Sequence, residues 1–151
     1  MYKNVIDLRI SRVIAAFALT IALALPGCAV HLISNYDETT DKAVTALQKK
    51  TEAHLISLDS AGSPECKYEN HKPFYDEAKV DVSAIEVRAA AIAANEITTQ
   101  QVHLLANSLD SLEKLHQMSC LSKEQIQPLR NQFNSSFTAI LKLELAKRRV
   151  E

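Results

Sequence analysis

Residues 96–119, EITTQQVHLLANSLDSLEKLHQMS, decide the fold of this chain. Apolar side chains recur there at steps of three and four residues, which is the spacing of one face of an α-helix. The positions that share this face are Val102, Leu105, Leu109, Leu112 and His116, and Leu104 and Leu115 are predicted to widen it. A helix with one apolar face must pack against partners. The stretch therefore predicts one member of a helical bundle.

Three further segments have a helical period. The first covers about 35–59, where Asn35 and Glu38 form a predicted capping box. The second runs from Pro73, a favourable first helical residue, to about Ala93. The last opens with a capping box of Ser122 and Gln125, and its Pro128 is expected to kink or restart the helix. The apolar face predicted for the first segment consists of Tyr36, Thr40, Ala43, Val44, Leu47, His54, Leu55 and Leu58. That of the second consists of Phe74, Ala78, Val82, Ile85, Ala89 and Ile92. That of the last consists of Ile126, Leu129, Phe133, Phe137, Ile140, Leu141 and Leu143.

The composition supports an all-helical domain. The 151 residues include only two glycines, four prolines and no tryptophan, so long strands joined by tight turns are implausible. Four amphipathic helices with short joints predict an all-α, up-down-up-down four-helix bundle over residues 35–151.

The N-terminus has the pattern of a secretory signal. Lys3, Arg9 and Arg12 precede an uncharged run at 13–25, VIAAFALTIALAL, which is too short to cross the ~30 Å hydrocarbon core of a bilayer as a helix. An uncleaved anchor stretched over residues 13–33 is the alternative. Without residues 1–27 the chain would carry a net charge of −3, because that segment holds three basic residues and one acidic residue. This charge does not fit a nucleic-acid-binding protein.

The run ends in Leu25-Pro26-Gly27-Cys28, which resembles the lipobox of bacterial lipoproteins. The resemblance implies cleavage after Gly27 and a covalent diacylglyceryl lipid on Cys28. Ala29 follows the cysteine in place of aspartate, which in that class resembles the signal for the outer membrane. The expected organisation is a signal peptide over 1–27, a lipid-anchored tether over 28–34 and a bundle facing the periplasm.

Cys66 and Cys120 remain once Cys28 carries lipid, and an even number of cysteines in an oxidising compartment predicts a disulfide. The bundle places the 60–72 loop and the joint at 120–122 at the same end, where the pair can meet. The alternative is a metal site, because Cys66, His71, His116 and Cys120 could converge there as a tetrahedral ligand set.

Motifs for catalysis are absent from the sequence. Glu113 and His116 form an E-x-x-H element, but di-iron bundles need two copies, and there is neither a G-x-S-x-G nucleophile motif nor a glycine-rich phosphate loop. Lys147, Arg148 and Arg149 are explained either as cations at a helix C-terminus or as contacts to lipid head groups.

The sequence therefore predicts a lipid-anchored periplasmic bundle that is not an enzyme and needs no cofactor beyond its lipid. Its expected partners are the membrane and an envelope protein. A surface of Tyr68, His71, Phe74 and Tyr75 is the candidate contact for that protein, with simple packing of aromatic rings as the alternative. A metal-binding or metal-sensing lipoprotein is the alternative function.

Overall fold

The computed structural model describes residues 33–149, which form four helices. These are α1 (Glu38–Ser60), α2 (Tyr68–Ala91), α3 (Glu96–Met118) and α4 (Lys123–Lys147). Each helix packs against two neighbours, α1 with α2 and α4, and α3 with α2 and α4. The predicted all-α, up-down four-helix bundle is confirmed. The predicted signal peptide, Cys28 and most of the tether lie outside the described residues.

The core follows the predicted helical faces closely. Val102, Leu105, Leu109 and Leu112 of α3 are all at most 1% exposed. Leu104 was predicted to widen this face, and that prediction is wrong because its side chain is 56% exposed. The buried apolar residues from the other helices are Val44, Leu47, Leu55 and Leu58 of α1, Tyr75, Ala78, Val82, Ile85 and Ala89 of α2, and Ile126, Phe133, Phe137 and Ile140 of α4.

Two helices begin at residues other than those predicted. The N-cap of α1 is Asp37 rather than Asn35, and its carboxylate accepts hydrogen bonds from the Thr40 backbone N–H and the Thr40 hydroxyl. The same carboxylate accepts two bonds from Arg88 of α2, at 2.6 and 2.7 Å. The Arg88 guanidinium holds the pKa of Asp37 well below its usual range. Asp37 therefore caps one helix and joins it to the next.

The second helix begins at Tyr68, so Pro73 is its sixth residue and not its first. Pro128 is likewise the sixth residue of α4, which continues through it as one helix, so of the two predicted effects, a kink or a restart, the restart does not occur. A proline at this position removes one helical hydrogen bond. In α2 the turn before the proline is stabilised by the preceding loop, because the side chains of His71 and Asn70 donate to backbone carbonyls of that loop.

The predicted capping box of Ser122 and Gln125 at the start of α4 is confirmed.

One end of the bundle, called here the C-terminal end, is closed by a buried ion pair. The Lys147 ammonium lies 2.5 Å from the Glu144 carboxylate, and it also donates to Asn95 and Thr98. Glu144 is fully buried and Lys147 is 6% exposed. Lys147 therefore does not reach lipid head groups, and that explanation of its charge is wrong.

The same end holds the segment that leads into α1. The Ser34 N–H donates to the Ala94 carbonyl at 2.8 Å, and the Ser34 hydroxyl donates to the Asn95 side chain at 2.9 Å. Residue 34, the α2–α3 joint and the last turn of α4 therefore meet at one place. Within residues 33–149, no helix combines the length and apolar character needed to cross a membrane.

Candidate functional site

The opposite end of the bundle, called here the disulfide end, is joined covalently. Cys66 in the α1–α2 loop and Cys120 in the α3–α4 joint form a disulfide, with a Cα–Cα distance of 5.3 Å. The predicted pairing is confirmed. An up-down bundle brings these two connections to the same end, so the pairing follows from the topology.

His116 of α3 contacts the backbone of Cys66, one of the two disulfide cysteines. Its Nε2 is 2.7 Å from the Cys66 carbonyl oxygen, and its Nδ1 is 2.7 Å from the Tyr75 hydroxyl. A carbonyl oxygen only accepts, so Nε2 carries the proton and Nδ1 of the neutral ring accepts from Tyr75. Burial lowers the pKa of His116, against the opposing effect of the Cys66 carbonyl. The ring is 1% exposed.

His54 of α1 extends the hydrogen-bonded chain. Its Nε2 lies 3.4 Å from the Tyr75 hydroxyl, whose proton is directed to His116, so His54 donates and Tyr75 accepts. Its ring stacks on Phe74 with centroids 3.7 Å apart. Burial lowers the pKa of His54 to about 3, with a further contribution from His71 and His116. Both buried histidines are therefore neutral at neutral pH.

A second polar group borders the first. The Tyr68 hydroxyl donates to Glu113 at 2.8 Å, and Lys79 of α2 forms an ion pair with the same carboxylate. Burial raises the pKa of Glu113, but the hydrogen bonds from Lys79 and Tyr68 outweigh that effect and leave the pKa below its usual value. The carboxylate of the E-x-x-H element is thus engaged by a tyrosine and a lysine.

His71 was predicted to lie in a polar loop, which is wrong because α2 already includes it. Its ring centroid lies 5.2 Å from that of His54 and 5.3 Å from that of His116. Its Nε2 donates to the Glu65 carbonyl at 2.9 Å. The residue therefore forms the partly exposed outer edge of the histidine cluster (His54, His71 and His116).

The alternative metal site loses two of its four ligands in this arrangement. Cys66 and Cys120 are bonded to each other, whereas zinc is held by free thiolates. Both nitrogens of His116 are already hydrogen-bonded. In the part of the chain from residue 33 to 149, no group of three or more His, Cys, Asp or Glu side chains is arranged to hold a metal ion.

The structure places one of the four residues of the candidate partner surface in the interior. Tyr75 is 1% exposed and cannot contact a partner, because its ring and hydroxyl pack between α1 and α3. Tyr68 and Phe74 are partly buried against the core. The rings of Tyr68 and Phe74 both pack against that of Tyr75, with centroids 5.6 and 5.1 Å apart. Among the four predicted residues, Tyr68, His71 and Phe74 keep some accessible surface.

The sequence predicts that His54 lies on the apolar face of α1 but does not indicate that it contacts the other histidines. Its spacing from neighbouring His and Cys residues along the chain does not indicate a cluster, since the cluster forms only where α1, α2 and α3 pack together.

Comparison with protein families, with characterised proteins and with solved structures gives no match to this chain. The function is therefore argued from the residues themselves.

Proposed function

We propose that this chain is a lipid-anchored protein of the bacterial envelope, directed to the outer membrane and facing the periplasm. Its bundle binds another envelope protein and catalyses no reaction. The observation that carries this proposal is the Leu25-Pro26-Gly27-Cys28 ending of the apolar run, which resembles a lipobox. Three features of residues 33–149 support it.

The first supporting feature is the position of Ser34. Its hydrogen bonds to Ala94 and Asn95 fix residue 34 at the C-terminal end of the bundle. Cys28 lies six residues earlier, and an extended chain spans at most about 3.5 Å per residue, or about 20 Å. A lipid on Cys28 would hold the C-terminal end of the bundle close to the membrane surface. The disulfide end would then point away from it.

The second feature is the disulfide between Cys66 and Cys120. Disulfides persist in oxidising compartments such as the periplasm and are rare in the cytosol. The bond is therefore compatible with an extracytoplasmic location.

The third feature is the internal use of the ionisable groups at the disulfide end. Tyr75 and His116 are buried and bonded to each other, and Glu113 is bonded to Tyr68 and Lys79. A general acid or base must come within hydrogen-bonding reach of a substrate. Groups engaged with one another in this way hold the bundle together and are not free for acid–base chemistry, which is consistent with a role other than catalysis.

The lipid is tested by growing the producing strain with a labelled fatty acid. The native chain should incorporate the label and fractionate with membranes, whereas Cys28→Ser should do neither. The matched control is the double variant Cys66→Ser/Cys120→Ser, which keeps Cys28 and should retain the label. A native chain without label, or label that survives in Cys28→Ser, refutes the lipid anchor.

The partner is tested with a photo-crosslinking amino acid at Glu69, an exposed residue beside Tyr68 at the disulfide end. Glu38, exposed at the start of α1 and at the other end of the bundle, is the matched control. We expect one discrete adduct with a different envelope protein from Glu69 and none from Glu38. Equal adducts from both positions, or none from Glu69, refute binding through the disulfide end.

A further inference from the structure

One side of the bundle is formed by rows of uncharged side chains on α3 and α4. On α3 the row is Ile97, Gln101, Leu104, Ser108, Ser111 and Leu115, spaced alternately by four and three residues. His103 and Asp110 of the same helix point toward α2, where they pair with Glu86 and Lys79. The row lies on the opposite side of the buried face from His103 and Asp110, which is the side of α3 that adjoins α4.

The neighbouring helix carries a matching row. On α4 it consists of Gln125, Leu129, Gln132, Ser136, Ala139 and Leu143, with the same alternation of four and three. Arg130 and Asn134 point toward α1, where they contact Glu52 and Gln48. The α4 row is therefore on the side that adjoins α3. The two rows together are called here the uncharged face.

The other three seams between neighbouring helices differ from this one. Lys50 of α1 pairs with Glu77 and Asp81 of α2, Lys79 of α2 pairs with Asp110 and Glu113 of α3, and Arg130 of α4 pairs with Glu52 of α1. Over residues 33–149, no ion pair links α3 to α4. The charges of the bundle are thus concentrated away from the uncharged face.

Apolar side chains reach the surface on this face. Ile97 and Leu104 are 55% and 56% exposed, and Leu115, Leu129 and Leu143 are partly exposed. Contiguous exposed apolar surface rimmed by polar groups marks interaction sites. Rows that alternate by four and three have the 3.5-residue period with which helices of separate chains interlock.

We propose that the uncharged face binds the same face of a second copy of this chain, to form a two-fold symmetric dimer. In such a dimer each patch meets itself, so a patch without charges avoids self-repulsion. The glutamine side chains hold both donors and an acceptor, and can therefore pair with their own kind. The serine hydroxyls donate to carbonyls of their own helices and keep an acceptor for a glutamine N–H. A charged partner would have to desolvate its charges against a face that offers no counter-charge.

The size of the face fits this occupant. Each row spans 19 residues, or about 27 Å of helix, and two helices packed about 9 Å apart present a face roughly 20 Å wide, so each copy would cover about 540 Å². Stable protein complexes bury about 600–1,000 Å² per partner, and the flat outline of the face is close to the lower end of that range. The uncharged face is therefore of the size of a small dimer interface.

The dimer is tested in cells with a photo-crosslinking amino acid at Ser108 in the full chain. Ser83, exposed on the outer side of α2, is the matched control. We expect Ser108 to give an adduct of twice the chain mass that contains only this chain, and Ser83 to give none. No adduct at Ser108, an adduct with a different protein, or equal yields at both positions would overturn the dimer.

A second test measures the assembly of the purified full chain in detergent by sedimentation. The native chain should sediment as a dimer, and Leu104→Lys should weaken association at least tenfold because it places two like charges at the symmetric contact. Val80→Lys, a control at a 69% exposed position of α2, should remain dimeric. Far-ultraviolet circular dichroism and the intact disulfide verify folding. A native chain that is monomeric at tens of micromolar overturns the proposal.

The result is independent of the lipid. The Cys28→Ser variant should form the same dimer, because the uncharged face lies within residues 97–143. Loss of the label with an intact dimer would refute only the anchor, and a labelled monomer would refute only the dimer.

Discussion

The Tyr75 hydroxyl lies 2.7 Å from Nδ1 of His116 and joins α2 to α3 inside the disulfide end. Because His116 also donates to the Cys66 carbonyl, the loop that carries the disulfide rests on the same imidazole. The tyrosine hydroxyl thus connects His54, His116 and, through it, the Cys66 loop. Stability at this end should depend on that one oxygen atom.

Tyr75→Phe keeps the ring and removes the hydroxyl, which leaves a buried acceptor on His116 without a donor. An unsatisfied buried polar group costs about 1–3 kcal/mol, so we expect the free energy of unfolding in urea to fall by about that amount. Tyr68→Phe is the control, because Glu113 keeps Lys79 as a partner and the loss should be smaller. Equal losses in the two variants would contradict the central role of Tyr75.

The buried histidines make stability depend on pH. Burial holds the pKa of His54 at about 3 and lowers the pKa of His116, whereas both titrate near 6.5 in the unfolded chain. The unfolded state therefore binds more protons as the pH falls below about 6.5. The stabilisation is fully present above that pH and is lost progressively toward pH 3, at up to about 1.4 kcal/mol per pH unit for each proton.

This dependence is measured by urea unfolding at pH 7.5 and pH 5.5, above the range in which most carboxylates titrate. We expect the native chain to be less stable at pH 5.5. His54→Gln, which keeps a donor for Tyr75 but does not titrate, should lose less stability over the same interval. An identical pH dependence in the two proteins would exclude His54 as a contributor.

The disulfide should stabilise the bundle mainly by restricting the unfolded chain. Cys66 and Cys120 are 54 residues apart, and closing a loop of that length contributes about 4 kcal/mol in the chain-entropy model. Cys66→Ala/Cys120→Ala should therefore unfold at a lower urea concentration than the native chain. Reductant should lower the native midpoint toward that of the variant and leave the variant unchanged. A native midpoint insensitive to reductant would contradict this role.

Two buried threonines of α1 give opposite predictions for the same substitution. The Thr51 hydroxyl is the buried side-chain polar atom without a hydrogen-bond partner in residues 33–149, whereas the Thr40 hydroxyl donates to Asp37 at 2.6 Å. Removing an unsatisfied polar group recovers its desolvation cost, so Thr51→Val should stabilise the protein by about 1 kcal/mol. Thr40→Val should destabilise it. Thermal unfolding of the two variants compares them directly, and destabilisation by Thr51→Val would show that its hydroxyl has a partner.

The four helices and most of the core follow from the sequence, because apolar residues such as Val102 and Leu105 recur with the helical period. The helix starts do not. Asp37 caps α1 through Thr40 and is also held by Arg88, a residue 51 positions away, and the first turn of α2 contacts the preceding loop. Local patterns do not contain such contacts.

The candidate site was predictable only in part. The cysteine count and the topology identified the disulfide, and the position of His116 on the apolar face predicted that it would be buried. The predicted face of α2 includes Phe74 and leaves out Tyr75, whereas the structure buries Tyr75 fully and Phe74 only in part. The hydrogen-bonded chain through Tyr75 depends on side chains from three helices.

The disulfide also changes how the chain responds to proteolysis. Because it joins the two connections at one end, α2 and α3 belong to a covalently closed ring, and α1 and α4 extend from it as tails. An endopeptidase that cuts the α2–α3 joint opens the ring but releases no fragment, since both pieces remain bonded through sulfur. Only a second cut, or prior reduction, can separate the halves of the bundle.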